Sequence, residues 1–433
     1  MLDSISEKQR KLFDFPEYDK LGKYKINADF VRYYTQEECY RELMVSYYPM
    51  LPLLEHTVPF EEADYILYMH MYARCEDYSE FVVKQLQEIA KNRKDGAEII
   101  VLGKAANAEK LLNGAISNIT FWGDHFTEKL GKKFDMDIRE QYFVYDDIEK
   151  HLAIWPVDGC LNKCKFCRRT YMEIKFESLS LQTIRTNLEQ IRLKTPELMK
   201  KVSIRAENLT EYGIDIYGKP MLHELIYLID SYDEVEEIEF PIGICIGEIT
   251  TEILEALCSS KKITELYMNL ETGSDRLLKL IGKKHTCEQA RYIYSKIYES
   301  NPNVKIFTTI MLGLPTEDMG DVLDTAKLII ETRPNHILCN YFICSPNSPL
   351  AKYPQLSESC RQYHLEEFIN LLYKLPVEKN YEFKVECYMI NKNSRKNIKA
   401  REKLKEENEE LQKYGFLPAH LGMEVEFKKF KVE

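Results

Sequence analysis

The chain has 433 residues, 45% of them hydrophobic, which is enough for a sizeable buried core divided over two or three packed units. Its 59 basic and 70 acidic residues give a net charge of −11. That balance argues against a protein whose main function is to bind nucleic acid, because phosphate binding depends on clustered positive charge. The sequence contains no apolar run long enough to predict a membrane span, and its first residues contain no apolar core typical of a signal peptide. We therefore expect a cytoplasmic protein with reduced thiols.

Residues 1–145 are predicted to form a small α/β domain. A buried strand at DYILYMHM, an amphipathic helix at SEFVVKQLQEIAKNRK and a buried strand at AEIIVLG follow one another. This order is typical of a βαβ unit, and it predicts a parallel sheet. The segment TEKLGKKFDMDIREQYF is expected to be a linker into the next domain.

Residues 146–354 are predicted to form the main domain, because strand and helix patterns alternate there. The strand candidates are LAIWPV, KVSIRAE, EIEFPIGIC, ELYMNLE, KIFTTIMLG and HILCNYFIC. Six such units favour a partial (β/α)6 barrel, whose active site is expected at the C-terminal ends of the strands. Residues 355–433 are predicted to be a mixed helical and strand C-terminal extension, with a long charged helix near 394–413.

Three of the twelve cysteines are closely spaced, in the segment GCLNKCKFCRR. Cys160, Cys164 and Cys167 can hold three irons of a [4Fe–4S] cluster. The fourth iron then stays open to bind S-adenosylmethionine (SAM), and one electron from the cluster cleaves SAM to a 5′-deoxyadenosyl radical. A structural zinc ion wants four ligands, usually in two pairs, and this loop offers three. Three unrelated buried cysteines are the other alternative.

This motif, with Phe166 before its last cysteine, resembles the signature of the radical SAM superfamily. The blocks VSIRAENLTEYGID, LETGSDRLLKLIGKKHT and TTIMLGLPTED further resemble blocks of the methylthiotransferases that modify tRNA or ribosomal protein. The resemblance implies a [4Fe–4S] cluster, bound SAM, and an adenine packed near Phe166. It also implies SAM contacts from Glu207, Glu271, Ser274, Gly313, Pro315 and Glu317. The plainer alternative is that Gly273 and Gly313 only form turns and Glu207 caps a helix.

The N-terminal domain departs from the methylthiotransferase pattern. That family has three further cysteines there, which hold a second cluster that supplies sulfur. Met71 and Lys104 stand at two of these places, and only Cys39 and Cys75 precede Cys160. The resemblance therefore implies a degenerate domain without the second cluster. The family's RNA-binding C-terminal barrel is not evident either, which argues against tRNA methylthiolation.

The expected function is a radical SAM enzyme that abstracts hydrogen from a non-nucleic-acid substrate, with a peptide or protein side chain first and a small metabolite second. Flavodoxin or ferredoxin is the expected electron donor. Two alternatives remain open: a methylthiotransferase whose second cluster uses Cys39 and Cys75, and a non-enzymatic iron–sulfur sensor. Four later cysteines offer a further candidate for a second cluster: Cys339, Cys344, Cys360 and Cys387. The isolated histidines are expected to be structural: His70, His125 and His364.

Overall fold

The computed structural model describes most of the chain, and two compact units divide its residues. The described residues are 23–31, 53, 57–69, 78–123, 126–135, 142–146, 150–167, 176–344, 348–374, 383–388 and 424–430. Those before residue 148 belong to the first unit and those after it to the second. The charged helix expected near 394–413 lies outside the described residues. The division into three domains at residues 145 and 354 stays a prediction.

The first unit contains a four-stranded parallel sheet, as its βαβ pattern predicts. Its strands are β1 (Ile26–Asn27), β2 (Tyr65–Met69), β3 (Glu98–Leu102) and β4 (Ile119–Trp122), in the order β1-β2-β3-β4. Its other elements are α1 (Tyr78–Asn92), α2 (Glu109–Leu112), α3 (Phe126–Phe134) and β5 (Phe143–Asp146). Helix α1 contributes Val82, Leu86 and Ile89 to a core shared with β2 and β3. These apolar side chains recur at helical spacing, which is why the segment buries one face.

The expected linker is wrong in its first half, where helix α3 forms instead. Phe126, Leu130 and Phe134 recur every four residues, and all three are buried. Apolar side chains at that spacing share one helix face and are stabilised by packing against a core. Phe134 packs edge-on against Tyr65 of β2, with ring centroids 5.1 Å apart. The helix is therefore part of the first unit.

The second unit is a mixed α/β domain around a long parallel sheet. Its strands are β6 (His151–Ile154), β7 (Val157–Asp158), β8 (Glu177–Ser178), β9 (Lys201–Ile204), β10 (Glu237–Ile244), β11 (Ile263–Met268), β12 (Lys305–Leu312), β13 (His336–Tyr341), β14 (Phe383–Tyr388) and β15 (Glu424–Phe430). Strands β6, β9, β10, β11, β12, β13 and β14 are parallel neighbours in that order. All six predicted strands are confirmed, and their linear order is that of a partial barrel. Strand β15 adds to β14 in the antiparallel direction.

Eight helices accompany this sheet within the described residues. They are α4 (Leu181–Lys194), α5 (Ile214–Tyr217), α6 (Leu222–Asp230), α7 (Thr251–Ser259), α8 (Asp275–Ile281), α9 (Cys287–Ser300), α10 (Met319–Thr332) and α11 (Glu358–Lys374). Several begin where the sequence has a capping residue. Ser180, Thr250 and Thr286 each accept a backbone N–H from the first turn of the following helix. None of the described helices is long and apolar enough to cross a lipid bilayer.

The two faces of the parallel sheet differ sharply in polarity. Leu152, Val202 and Ile238 are registered with one another across three strands, and each is fully buried. On the opposite face Glu239 is registered with Glu265, and Glu239 forms an ion pair with Lys201 at 2.6 Å. Alternation along each strand produces this difference, because successive side chains point to opposite faces. One face therefore supplies the apolar core, whereas the other is lined by charged groups.

Proline shapes the ends of two predicted barrel strands. The segment LAIWPV forms a strand only as far as Ile154, since Pro156 has no N–H to donate. Val157 and Asp158 pair instead with Ser178 and Glu177, in a short antiparallel ribbon. In β10, Pro241 lies where the register against β11 skips from Phe240 to Ile244. These prolines end or shift the ladder at the side of the sheet where the cysteine loop begins.

Candidate functional site

The three clustered cysteines lie on the loop that follows β6 and β7, at the carboxyl end of the first barrel strand. Cys164 is buried, while Cys160 and Cys167 are half-buried. The backbone N–H of Cys167 donates to the carbonyl oxygen of Cys164 at 3.0 Å, which folds the end of the loop into a turn. The three thiols are close enough to affect one another electrostatically. The loop therefore gathers them at the end of the barrel where active sites form.

Three separate parts of the second unit hold this loop. The N–H of Leu161 donates to the carboxylate of Glu211 at 2.8 Å. The N–H of Lys165 donates to the carbonyl oxygen of Ile281, the last residue of α8, at 2.8 Å. The hydroxyl of Ser348 donates to the carbonyl oxygen of Lys165 at 2.7 Å. The loop pairs with no neighbouring strand at these positions, so each of these bonds satisfies a backbone group that would otherwise lack a hydrogen-bond partner.

Two carboxyl groups, Glu211 and Glu248, form a pair beside the loop. Glu248 accepts hydrogen bonds from Asn208 at 2.7 Å, Asn162 at 3.1 Å and Lys284 at 2.5 Å. Burial and the charge of Glu248 raise the pKa of Glu211. Burial also disfavours the charge of Glu248, but its bonds to Lys284 and Asn208 prevail and lower its pKa. The pair therefore holds its proton on Glu211 and its negative charge on Glu248.

A buried ion pair lies on the other side of the cysteines. Lys283 Nζ is 2.7 Å from Glu271 Oε1, and the two side chains are 13% and 4% exposed. Glu271 sits in the left-handed region at φ 64°, where its N–H donates to Thr309 and its carbonyl accepts from Met311. Burial disfavours the charge of Lys283, but Glu271 prevails and raises its pKa. Its ammonium lies 5.6 Å from the ring centre of Phe166, so a fixed positive charge stands next to the cysteine loop.

The protonation of the thiols follows from their burial. Burial raises the pKa of Cys160 to about 11 and that of Cys164 to about 11. Lys283 opposes this effect at Cys164, and Glu271 and Cys167 add to it. A further cysteine, Cys245, follows β10 and lines a small cavity together with Cys164 and Lys283. Without a metal these thiols keep their protons at neutral pH, and metal binding must displace them.

The cysteine loop suits an iron–sulfur cluster better than a single metal ion. In the part of the chain that the structure describes, no three Cys, His, Asp or Glu side chains are arranged to hold one ion. Zinc needs such a converging set, usually of four ligands. A [4Fe–4S] cluster does not, because each thiolate binds a different iron. Cys160, Cys164 and Cys167 are therefore candidate ligands of a cluster. A second cluster held by Cys339, Cys344, Cys360 and Cys387 stays a prediction.

The remaining predicted SAM contacts lie after three neighbouring barrel strands. Glu207 is half-buried on the loop after β9. Ser274 caps helix α8, because its hydroxyl accepts the N–H of Leu277. Gly313 and Pro315 are buried in the turn after β12, where the N–H of Gly313 donates to Glu317 at 2.8 Å. The structure thus shows a helix-capping role for Ser274 and a turn role for Gly313, while their contacts with SAM stay predictions.

Two predicted glycine positions have a steric explanation. A Cβ on Gly273 would lie 2.3 Å from the carbonyl oxygen of Asp324, so the loop after β11 approaches α10 as closely as glycine allows. Gly313 combines φ 83° with a Cβ position 2.6 Å from Arg361 Cγ. Both places exclude a side chain for reasons of space, and Gly313 also for reasons of backbone geometry.

Sequence reasoning missed several residues around the loop. Glu211, Glu248, Lys283 and Cys245 were not singled out, although each follows the carboxyl end of a barrel strand or the helix after it. Polar residues directly after the strands of a predicted parallel sheet are the signal that indicates them. Several earlier expectations concern residues outside the described part, or side chains that it does not cover: Cys39, His70, Met71, Cys75, Lys104, His125 and Cys387.

Comparisons with known proteins agree with this geometry. Residues 155–329 match the Radical SAM superfamily. A tRNA-2-methylthio-N(6)-dimethylallyladenosine synthase from Carboxydothermus hydrogenoformans is 28% identical over 224 residues, covering 51% of this chain and 50% of that protein. A ribosomal protein uS12 methylthiotransferase RimO from Caldicellulosiruptor saccharolyticus is 25% identical over 247 residues, covering 55% of each chain. The chain thus spans about half the length of the curated relatives it matches.

Solved structures give a more distant likeness. The cobalamin-dependent S-adenosylmethionine radical enzyme OxsB, with aqua-cobalamin and SAM bound, has a TM-score of 0.48 and 12% sequence identity. That match covers 91% of this chain and 62% of OxsB. Members of the radical SAM superfamily carry a [4Fe–4S] cluster and SAM, and the three cysteines lie within the matched residues. Residues 155–329 therefore match the radical SAM superfamily, and this region is similar in sequence to two methylthiotransferases.

Proposed function

We propose that this chain cleaves SAM reductively and abstracts a hydrogen atom from a peptide or protein side chain. The observation that carries the proposal is the cysteine loop, with Cys160, Cys164 and Cys167 held at the carboxyl end of the barrel sheet. A [4Fe–4S] cluster held by these cysteines would supply the electron that breaks the sulfur–carbon bond of SAM.

The chain's own residues position and shield this chemistry. Glu211 and Glu248 hold the loop through Leu161 and Asn162, which limits the movement of the cysteine ligands. The ion pair of Lys283 and Glu271 keeps both charges buried. Such an arrangement is preorganised, because its groups do not have to reorient when charge moves during the reaction.

Residues from several strand ends are our candidates for binding SAM. The ring of Phe166 offers a flat apolar face to the adenine. The others are Glu207, Glu271, Ser274, Gly313 and Pro315. Because they follow different parallel strands of one sheet, they lie at the same edge as the cysteine loop.

Charge favours a peptide over a nucleic acid as the substrate. The chain carries a net charge of −11. A chain of that charge offers a phosphate backbone little overall attraction. The charged face of the sheet carries groups of both signs, including Lys201 and Glu265. Burial and the charge of Glu239 raise the pKa of Glu265 to about 7. Mixed charge suits the ammonium, carboxylate and amide groups of a peptide.

The setting of the reaction follows from its chemistry. Free thiols and a reduced cluster persist in a reducing compartment, so we place the enzyme in the cytoplasm. A low-potential one-electron donor such as flavodoxin or ferredoxin is the proposed partner.

The test is SAM cleavage by the anaerobically reconstituted full chain with dithionite. We expect 5′-deoxyadenosine from the wild type and none from Cys164→Ser. Candidate peptides deuterated at the target side chain are expected to transfer deuterium into 5′-deoxyadenosine. Absence of 5′-deoxyadenosine with every substrate would refute the enzyme proposal. Deuterium transfer from a small metabolite alone would refute the peptide.

A second candidate function is methylthiolation, favoured by the sequence similarity of the domain to two methylthiotransferases. That reaction needs a sulfur source, which a second cluster supplies in the family. Iron analysis separates the candidates, because one [4Fe–4S] cluster gives about four irons per chain and two give about eight. A methylthio group on the product, together with about eight irons, would establish this function in place of the first.

A further inference from the structure

A second constellation of reactive side chains lies on helix α11, away from the cysteine loop in sequence. Cys360 Sγ is 3.5 Å from His364 Nε2, one helical turn later. His364 Nδ1 is 2.7 Å from Oε1 of Glu317, which belongs to the turn after β12. A thiol, an imidazole and a carboxylate thus stand in line. This is the arrangement by which a base and an orienting acid activate a nucleophile.

The carboxylate fixes which imidazole nitrogen carries the proton. Glu317 Oε1 accepts the N–H of Gly313 at 2.8 Å and faces His364 Nδ1 as well. Nδ1 therefore donates its proton to Glu317, and the lone pair of Nε2 is left to face Cys360. His364 and Glu317 are only 4% and 5% exposed, so packing holds this orientation. The imidazole is set to take the proton of the thiol.

Cys360 lies at the start of its helix. Helix α11 has 17 residues, and Cys360 lies in its first turn, with its N–H donating to Ser357 Oγ at 3.2 Å. Cys360 is half-buried rather than enclosed, so a small reactant can reach its sulfur.

We propose that Cys360 is a nucleophilic modification site that reacts with small disulfides. Its proton passes to His364 Nε2, and the thiolate attacks one sulfur of the disulfide. A sulfur–sulfur bond forms to Cys360, the original disulfide bond breaks, and the leaving thiolate takes the proton from His364. No outside electrons are needed, because one disulfide is exchanged for another.

Cys258 provides a matched internal control. It is also half-buried on a helix, α7, but its thiol donates to the carbonyl oxygen of Lys296 at 3.6 Å. A carbonyl oxygen cannot take a proton from the thiol, so this bond provides Cys258 with no base. Any difference in rate between the two cysteines therefore reports the contribution of His364 and its surroundings rather than exposure alone.

The experiment exposes the cluster-loaded full chain to oxidised glutathione under anaerobic conditions, and peptide mass mapping follows each cysteine with time. We expect Cys360 to form the mixed disulfide about tenfold faster than Cys258, or more. In His364→Asn the amide still donates to Glu317 but offers no base, so the rate at Cys360 is expected to fall about tenfold or more. Cys360→Ser is expected to lose this adduct alone.

Two outcomes would overturn the proposal: equal rates at Cys258 and Cys360 in the wild type, or an unchanged rate at Cys360 in His364→Asn. Circular dichroism checks that each variant folds. If His364→Asn does not fold, Glu317→Gln replaces it, and an unchanged rate there counts equally against the proposal. The wild-type comparison stands by itself in either case.

Discussion

The two parallel sheets of this chain are built alike but end differently. In the first unit, β2 and β3 finish on Met69 and Leu102, both fully buried. In the second unit, the loops after the strands carry Cys160, Glu211 and Glu248. Across the sheet edge, Glu211 accepts the N–H of Leu161, next to Cys160, and forms a hydrogen bond with Glu248. Parallel topology thus creates an edge where loops meet. In the second unit, polar and thiol side chains on those loops make this edge a candidate reaction site.

One charged pair of the first unit lies at the other end of its sheet. Glu98 is the first residue of β3, and it forms an ion pair with Lys133 at 2.7 Å. Partly exposed pairs of this kind contribute little to stability. The comparison teaches that the end of the strand at which a charge occurs says more about function than the number of charges does.

The largest effect is expected from the cysteine loop. Cys164→Ser is expected to abolish cluster binding and SAM cleavage, because a hydroxyl is a poor substitute for a thiolate that bridges protein and iron. Cys258→Ser, on helix α7, is the matched control and is expected to keep both. Iron content and 5′-deoxyadenosine formation measure the difference. Equal iron content in the two variants would contradict the assignment of Cys164 as a cluster ligand.

The next largest effect separates two adjacent lysines. Lys283→Met leaves Glu271 buried without its partner, and the expected loss of unfolding free energy is about 3–5 kcal/mol. Lys284 is 55% exposed and pairs with Glu248, so Lys284→Met is expected to cost at most about 1 kcal/mol. Denaturant unfolding of the two variants measures this. Equal losses of unfolding free energy in the two variants would show that the burial of Lys283 does not decide the cost of removing its charge.

An acid-dependent effect is expected from His151, at the start of the barrel sheet. Burial, and then the charge of Arg205, lower its pKa to about 3, below the ordinary 6.5. Between these values only the unfolded chain binds the proton. The contribution of His151 to the unfolding free energy therefore falls as the pH drops below 6.5, by about 2 kcal/mol at pH 5.

Denaturant midpoints of the wild type and of His151→Gln at pH 7 and pH 5 isolate this contribution. His151→Gln keeps an acceptor for Arg205 and does not titrate, so the variant is expected to lack this part of the pH dependence. Other groups act in both proteins: burial lowers the pKa of His285 to about 4, whereas it raises the pKa of Glu211 and that of Glu265 to about 7, which acts in the opposite direction. An unchanged pH dependence in His151→Gln would contradict the prediction.

The smallest expected difference compares two glycines with positive φ that each follow a strand. Gly103→Ala, after β3, is strained at φ 61° but meets only Phe126 at 3.6 Å, so a cost of about 1 kcal/mol is expected. Gly313→Ala has the same backbone strain and also crowds Arg361 at 2.6 Å. It is expected to cost about 1–3 kcal/mol more and to weaken SAM binding. Thermal unfolding and SAM affinity test both statements.

Much of the fold was predictable because its signals are local. The six barrel strands follow apolar alternation, and helices α4, α7 and α9 begin at Ser180, Thr250 and Thr286. Errors arose where a local pattern had two interpretations. The segment after Phe126 contains enough charge to look like a linker, yet its apolar residues at helical spacing place α3 in a core. Strand β6 ended early because Pro156 cannot donate to the ladder.

The candidate site was predictable only in its cysteines. Their spacing within one loop is visible in the sequence, and it indicates a cluster without reference to any other residue. Lys283 and Lys284 look identical in the string GKK, yet one is buried against Glu271 and the other lies exposed near Glu248. Their difference arises from the direction in which each side chain leaves the loop, which no local pattern records.

By itself the sequence determined the order of strands and helices and the three thiols that can bind iron. Both depend on neighbours along the chain, through alternation, capping and ligand spacing. Only the tertiary structure decided that Glu211, 50 residues after Leu161, holds the cysteine loop, and that Glu317 orients His364 toward Cys360. Those contacts form because parallel strands bring distant loops to one edge, where burial makes each charge depend on its partner.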